Sequence, residues 1–182
     1  MEAHTAAGKL QGLTEDALWY EAAHVVGITN ALNVVADGAG AVLAMPEAAA
    51  PPEAAPLFAA IRAFYTATSV PLPFRVIARD PAYLADVWAA TRRAFDDHRL
   101  PRRLKEALAF AVSLTSRSEF GTAFHLAEMR RLGVGEAGVT EVLGVTQMFS
   151  SYTKIADTLQ LESDMGVIAP IDPSPAPGGR AA

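Results

Sequence analysis

Residues 105–134 read KEALAFAVSLTSRSEFGTAFHLAEMRRLGV, and this stretch decides the fold. Its first half continues a helix opened by Pro101 (PRRLKEALAFAVSLTS). The Ala-Leu-Ala-Phe-Ala-Val centre is apolar nearly all round, the mark of a buried helix. In the second half Ser116 and Glu119 have the spacing of a capping box, so a new helix is expected to begin at about Arg117. It should end at Gly133, with Arg130 and Arg131 in its last turn, where cations suit the helix dipole. On that helix Ser118, Gly121, His125 and Glu128 fall three or four residues apart and share one stripe. No segment of the chain shows period-two alternation bounded by turns, so the fold class is all-α.

The stripe carries the candidate chemistry. Ser118 and Gly121 sit in the first turns, where unpaired backbone N–H groups and the positive dipole end favour an anion. Glu106 is an ionisable side chain inside an apolar helix and needs a partner if buried. His125 is its nearest partner in sequence, provided the two helices pack antiparallel. Two readings of the pair stay open: a core histidine satisfying a buried carboxylate, or a proton donor and acceptor lining a site. Ser118 reads first as a helix-start residue, because no aspartate–histidine order accompanies it as a triad would require. Gly121 costs on the order of 1 kcal/mol against alanine within a helix, which points to a close helix–helix contact or a notch for a small ligand.

These residues resemble the core of the alkylhydroperoxidase D (AhpD) and carboxymuconolactone decarboxylase superfamily. The AhpD pattern is a glutamate, a Cys-x-x-Cys twelve residues later, a histidine four after the second cysteine, and a Leu-Gly helix stop. Glu106 and His125 match the glutamate and histidine at that spacing. Ser118 and Gly121 stand in the two cysteine positions, and Phe120 matches the aromatic residue often found between them. Downstream, FSSYTKIADTLQLESD is similar to the closing helix of the peroxidase-related members, and the likeness covers residues 72 to 164. It implies an AhpD-like helical bundle. In the cysteine-bearing relatives the glutamate and histidine relay a proton to the attacking thiol, but this chain has no cysteine. Serine is too weak an acid for that work and forms no disulfide, so thiol peroxidase activity by the family mechanism is not expected. The decarboxylase branch works by acid–base chemistry on a lactone carboxylate, without a redox pair.

Three functions follow as expectations. The first is a cofactor-independent lyase or isomerase on a small carboxylate or lactone, with Glu106 and His125 exchanging the proton. Ser118, Gly121, Phe120 and Tyr152 would line the substrate site. The second is a binding or scaffold protein that has kept the fold without the chemistry. The third is peroxide handling with an external thiol. No cofactor and no metal are expected. Glu21-x-x-His24 has the spacing of a di-iron half-motif, but such sites need two of these and further carboxylates.

The remaining chain divides around this core. Residues 1–44 form an N-terminal helical segment, with Thr14 as N-cap, one helix or two broken near Gly27, and a stop at Gly38. Residues 45–70 are a Pro/Ala linker and a short amphipathic helix (PLFAAIRAFYTA). Within the AhpD-like core, 71–165, VPLPFRVI reads as extended because proline moves its predecessor out of the helical region. Asp80-Pro81 then caps a helix with Leu84, Val87, Trp88, Thr91 and Phe95 on one face. A last helix runs from about Val139 to Leu161, and 166–182 is a disordered tail. NALNVVADG and SSYTKIADT align at an offset of 120 residues, which makes the N-terminal helix a degenerate copy of the last one.

Composition sets the outer bounds. The chain is 182 residues long, 51% hydrophobic and 19% charged, with a net charge of −5. That balance disfavours nucleic acid or an anionic membrane surface as partner. The pairs Arg92-Arg93, Arg102-Arg103 and Arg130-Arg131 read as helix-end charges. No signal peptide is evident and no apolar run is expected to approach the roughly 20 residues that span a bilayer, so a cytoplasmic location is the default. The resemblance implies a homo-oligomer (dimer, trimer or hexamer), with the apolar face of the N-terminal helix between subunits.

Overall fold

Eight α-helices and no strand make up residues 2–160, the residues that the computed structural model describes. They are α1 (Glu2–Leu10), α2 (Asp16–Leu43), α3 (Ala55–Tyr65), α4 (Leu72–Ile77), α5 (Pro81–Phe95), α6 (Arg102–Ser116), α7 (Glu119–Arg131) and α8 (Glu136–Leu159). The all-α class is as expected. The expected tail, 166–182, lies outside the described residues, and the last helix ends at Leu159, with Gln160 as its C-cap.

α2 is the central strut. Val25, Thr29, Leu32, Asn33, Ala36 and Gly40 recur at helical spacing and are buried, where they meet α4, α5, α6 and α7. The largest apolar cluster joins Leu32 to Phe58, Ile61 and Tyr65 of α3, Phe74 of α4, and Leu84 and Trp88 of α5. A smaller one packs Val25 with Phe95 and Ala109, which locks α2, α5 and α6 together. A third, Phe110, Met129 and Val139, holds α6, α7 and the start of α8.

Several local expectations are corrected. α2 is one helix from Asp16 to Leu43, neither broken at Gly27 nor stopped at Gly38, and its N-cap is Glu15 instead of Thr14. Within it, a glycine is needed at 40, because Leu72 of α4 lies so close that a β-carbon there would collide with it. The segment LPFRVI is helical, because Pro73 falls in the first turn of α4, where a missing N–H costs nothing. A short helix, α1, precedes Thr14, where none was expected. Asp80 does cap α5, its carboxylate accepting from the Ala82 and Tyr83 N–H groups.

α2 is also long and apolar enough to cross a membrane by length and composition, with mean hydropathy 1.3 and 33% of that window buried inside the protein. This corrects the expectation that no apolar run approaches such a length. The alanines and glycines among its valines and leucines raise the average without forming an unbroken block. α2 turns its buried face to the chain's own helices, so that face is not left for a subunit contact.

Candidate functional site

The site grows from the antiparallel packing of α6 on α7. Arg117 takes a left-handed conformation (φ 58°) as the C-cap of α6, and the chain reverses directly into α7. The N-cap of α7 is Ser118, not Ser116. Its hydroxyl accepts from the Gly121 N–H at 2.9 Å. Ser116 closes α6 instead, so the capping-box reading was two residues early.

Glu106 and His125 meet across the two helices, with His125 Nδ1 donating to Glu106 Oε2 at 2.8 Å. Glu106 is fully buried and His125 is 4% exposed. The imidazole lies parallel to the Phe95 ring at 5.8 Å and edge-on to Phe124 at 5.2 Å. The other carboxylate oxygen of Glu106 lies 3.4 Å from Arg102 Nε, one turn earlier on α6. Arg102 also donates to Glu128 Oε2 at 2.9 Å and to the Phe64 carbonyl at 3.0 Å. Its guanidinium lies 3.8 Å from the Phe64 ring centre. Arg131 closes the chain with two donations to Glu128, at 2.9 and 2.6 Å. Two carboxylates and two guanidiniums therefore alternate from the buried Glu106 outward to the exposed Arg131, each fixing the next.

The charges act on their neighbours. Burial, and the nearby Glu106 and Glu128 carboxylates, push the Tyr65 hydroxyl well above the usual phenol range, against the opposing pull of Arg102. The Glu128 hydrogen bonds raise Arg131 above its ordinary value, against partial burial.

The positions that match the family's cysteines are filled. Asn33 of α2 reaches over Gly121, where a β-carbon would run into its amide oxygen and into Ser113 Oγ. The Asn33 amide donates to Ser113 Oγ at 3.0 Å, and Ser113 Oγ donates to the Ala109 carbonyl at 2.8 Å. Gly121 is thus a close helix–helix contact, and the ligand-notch reading is set aside. The anion cradle is corrected too. The Phe120 N–H donates to Asp37 Oδ1 at 3.3 Å and the Gly121 N–H to Ser118, so the start of α7 already faces a carboxylate and a hydroxyl.

Among the other expected site residues, Phe120 stacks on Phe124 at 5.4 Å beside the pair. Tyr152 stands apart, 59% exposed on α8. His24 lines a cleft between α2 and α5 together with Tyr20, Glu21, Arg92, Arg93, His98 and Arg99, with a volume of about 970 Å³. Among the described residues no three His, Cys, Asp or Glu side chains gather as a metal site. Glu21 is instead bound to Lys105, a fully buried ammonium 2.5 Å away.

Sequence reasoning missed Arg102, Arg131, Asn33 and Lys105. Arg102 and Arg131 were read as helix-end charges, yet Arg102–Glu106 at i,i+4 and Glu128–Arg131 at i,i+3 were visible pairings. Nothing in sequence marked Asn33, whose partners lie eighty residues away.

A scan against family models matches residues 81–161 to the carboxymuconolactone decarboxylase family. Residues 81–161 are similar to that family. The matched segment is α5 to α8 and carries the whole Glu106–His125–Arg102–Glu128 network, while α1–α4 lie outside it. No curated protein and no solved structure matches the chain.

Proposed function

We propose that this chain is a non-catalytic binding member of the carboxymuconolactone decarboxylase family, in which the former proton relay has become a structural element. The observation that carries this reading is the filling of both vacated positions. Asn33 occupies the space over Gly121, and the Ser118 hydroxyl is spent on the helix cap. The pair itself is enclosed by Phe95, Phe124 and Arg102, so a reactant has no open approach to it.

A ligand finds better equipment in the cleft between α2 and α5. Arg92 is held by Asp96 and Arg99 by Glu15, whereas Arg93 is exposed and has no ion-pair partner among the described residues. With His24, His98 and Tyr20 around it, the cleft suits a small carboxylate, within the size range of small-molecule sites. A second reading rests on the 2.8 Å His125–Glu106 hydrogen bond. That geometry is what an acid–base lyase or isomerase uses, and it would operate only if Phe124 swung aside. Peroxide handling through an external thiol has no such support.

Calorimetric titration with a panel of small mono- and dicarboxylates tests the choice. Binding that Arg93→Ala weakens at least tenfold, with no turnover, supports the binding reading. Turnover of any panel member that is lost in His125→Gln while Arg93→Ala retains it would overturn that reading in favour of the lyase.

A further inference from the structure

We propose that Arg75 and Arg79 form a binding site for a phosphate group where α4 meets the end of α2. Among the described residues five cationic side chains are buried or half-buried: Arg62, Arg75, Arg92, Arg102 and Lys105. Four of them hold a carboxylate. Arg62 is paired with Glu47, Arg92 with Asp96, Arg102 with Glu106 and Glu128, and Lys105 with Glu21. Arg75 has no ion-pair partner among the described residues, and its buried Nε has no hydrogen-bond partner there either. An unsatisfied N–H on a buried charged group is destabilising. The chain tolerates at Arg75 what it avoids at the other four positions.

Arg79 brings a second guanidinium to the same edge. Leu72, Arg75 and Arg79 are spaced three and four apart, and the helical turn continues through the Ala78 N–H, which donates to the Phe74 carbonyl at 3.1 Å. The three therefore share one stripe, whose Leu72 lies against Gly40 of α2. Arg79 is exposed, and its Nε and Nη2 donate to the Leu43 carbonyl at 3.3 and 3.2 Å. A cation at the end of α2 suits the helix dipole, and Arg79 alone meets that need. Arg75 Nε reaches no carbonyl, so capping leaves it unexplained. The acids of the adjoining segments are engaged elsewhere. Asp37, the last acidic residue of α2, accepts from the Phe120 N–H, Asp80 caps α5, and Glu47 holds Arg62 and the Val70 N–H.

Two guanidiniums without a counter-charge specify the ligand's chemistry. A carboxylate brings two acceptor oxygens and a single charge. A phosphate group brings three acceptor oxygens and about two negative charges, which matches two forks and two cations. Leu43, whose carbonyl Arg79 binds, and Val42 before it are 44 and 82% exposed. A phosphate in solution and the headgroup of a lipid set against that apolar corner present the same chemistry to the two arginines. The site shares no residue with the cleft between α2 and α5, so it stands or falls apart from the carboxylate reading.

Two probes test the proposal on the full chain: inorganic phosphate, and phosphatidylcholine vesicles containing phosphatidic acid. Inorganic phosphate should raise the melting temperature saturably, and chloride at equal ionic strength should not. Arg75→Met should abolish that rise and, in phosphate-free buffer, melt above the parent, because no unsatisfied N–H is left buried. Arg79→Ala should weaken phosphate at least tenfold, whereas Arg130→Ala, at the end of α7, should bind as the parent does. Should Arg75→Met fail to fold, Arg75→Lys keeps the charge without the fork and should weaken phosphate at least fivefold. Saturable binding of inorganic phosphate supports a soluble source. Vesicle binding alone, lost in Arg79→Ala, supports a lipid headgroup. No response to either probe overturns the proposal, as does a parent-like response in both Arg79→Ala and Arg75→Lys. A response to acetate as large as that to phosphate also overturns it, because the site then takes any oxyanion.

Discussion

Asn33 takes the space that a side chain at position 121 would need. The two residues come from helices far apart in sequence, and the amide of Asn33 reaches Gly121 because α2 crosses both α6 and α7. Among the described residues Asn33 Oδ1 has no hydrogen-bond partner, nor has Thr29 Oγ1 one turn before it. A buried carbonyl without a donor costs free energy. Here it is tolerated because Asn33 fills the gap and its NH₂ is satisfied by Ser113. The vacated redox position is thus packed, not open.

That packing can be measured. Gly121→Ala gains helix propensity of about 1 kcal/mol but forces the methyl into Asn33 and Ser113, an overpacking cost of about 1–3 kcal/mol. The collision should win, giving a net loss of stability in urea denaturation. In the background of Asn33→Ala the same substitution should turn neutral or stabilising. Equal effects in both backgrounds would mean that Asn33 does not hold the space.

Glu106 supplies the sharpest division between a structural and a catalytic pair. If the pair is structural, Glu106→Gln leaves Arg102 facing one carboxylate fewer and should cost about 3–5 kcal/mol, the usual penalty for breaking a buried ion pair. His125→Gln keeps a donor for Glu106 and should cost less. The check is equilibrium denaturation of both variants beside the parent. A pair strained for catalysis gives the opposite sign, with Glu106→Gln more stable than the parent.

Arg102 tests the network from its centre. Its planar fork donates to Glu106, Glu128 and the Phe64 carbonyl while stacking on the Phe64 ring. Lysine carries the charge but cannot reproduce that geometry. Arg102→Lys should therefore recover only a minor part of the stability that Arg102→Met loses, as read from the two melting temperatures. Full recovery would show that charge alone matters at this position.

The legibility of this chain divides along contact range. Glu106 and His125 could be paired from sequence because both lie on adjacent helices joined by a tight reversal, so spacing along the chain fixes spacing in space. The cap at Asp80 and the stop at Gly133 were readable for the same reason. Errors arose where a distant helix decided the outcome. Gly38 looks like a helix stop, yet α2 runs on through it to Leu43, held by its packing against α4, α5, α6 and α7. Gly121 looks like a notch until Asn33 arrives. Tyr152 lies on the last helix, and its position along the chain carries no information on its distance from Glu106 and His125.

The Glu21–Lys105 pair predicts how stability responds to acid. Burial opposes the charged form of Glu21. The Lys105 ammonium and the N–H groups of Leu100 and Arg99 overcome it and hold the carboxyl below its ordinary value of 4.5. A folded-state pKa below the unfolded one contributes stability that is fully present above the unfolded value. That contribution is lost as pH falls through the folded value. Stability should therefore hold to about pH 5 and decline below 4.5, as Glu21 is protonated and Lys105 is left buried without its counter-charge. Glu21→Gln should show the loss already at neutral pH and a flatter acid limb. Denaturation midpoints measured from pH 3 to 7 for both proteins give the comparison, and parallel curves would remove Glu21 as the source of the acid response.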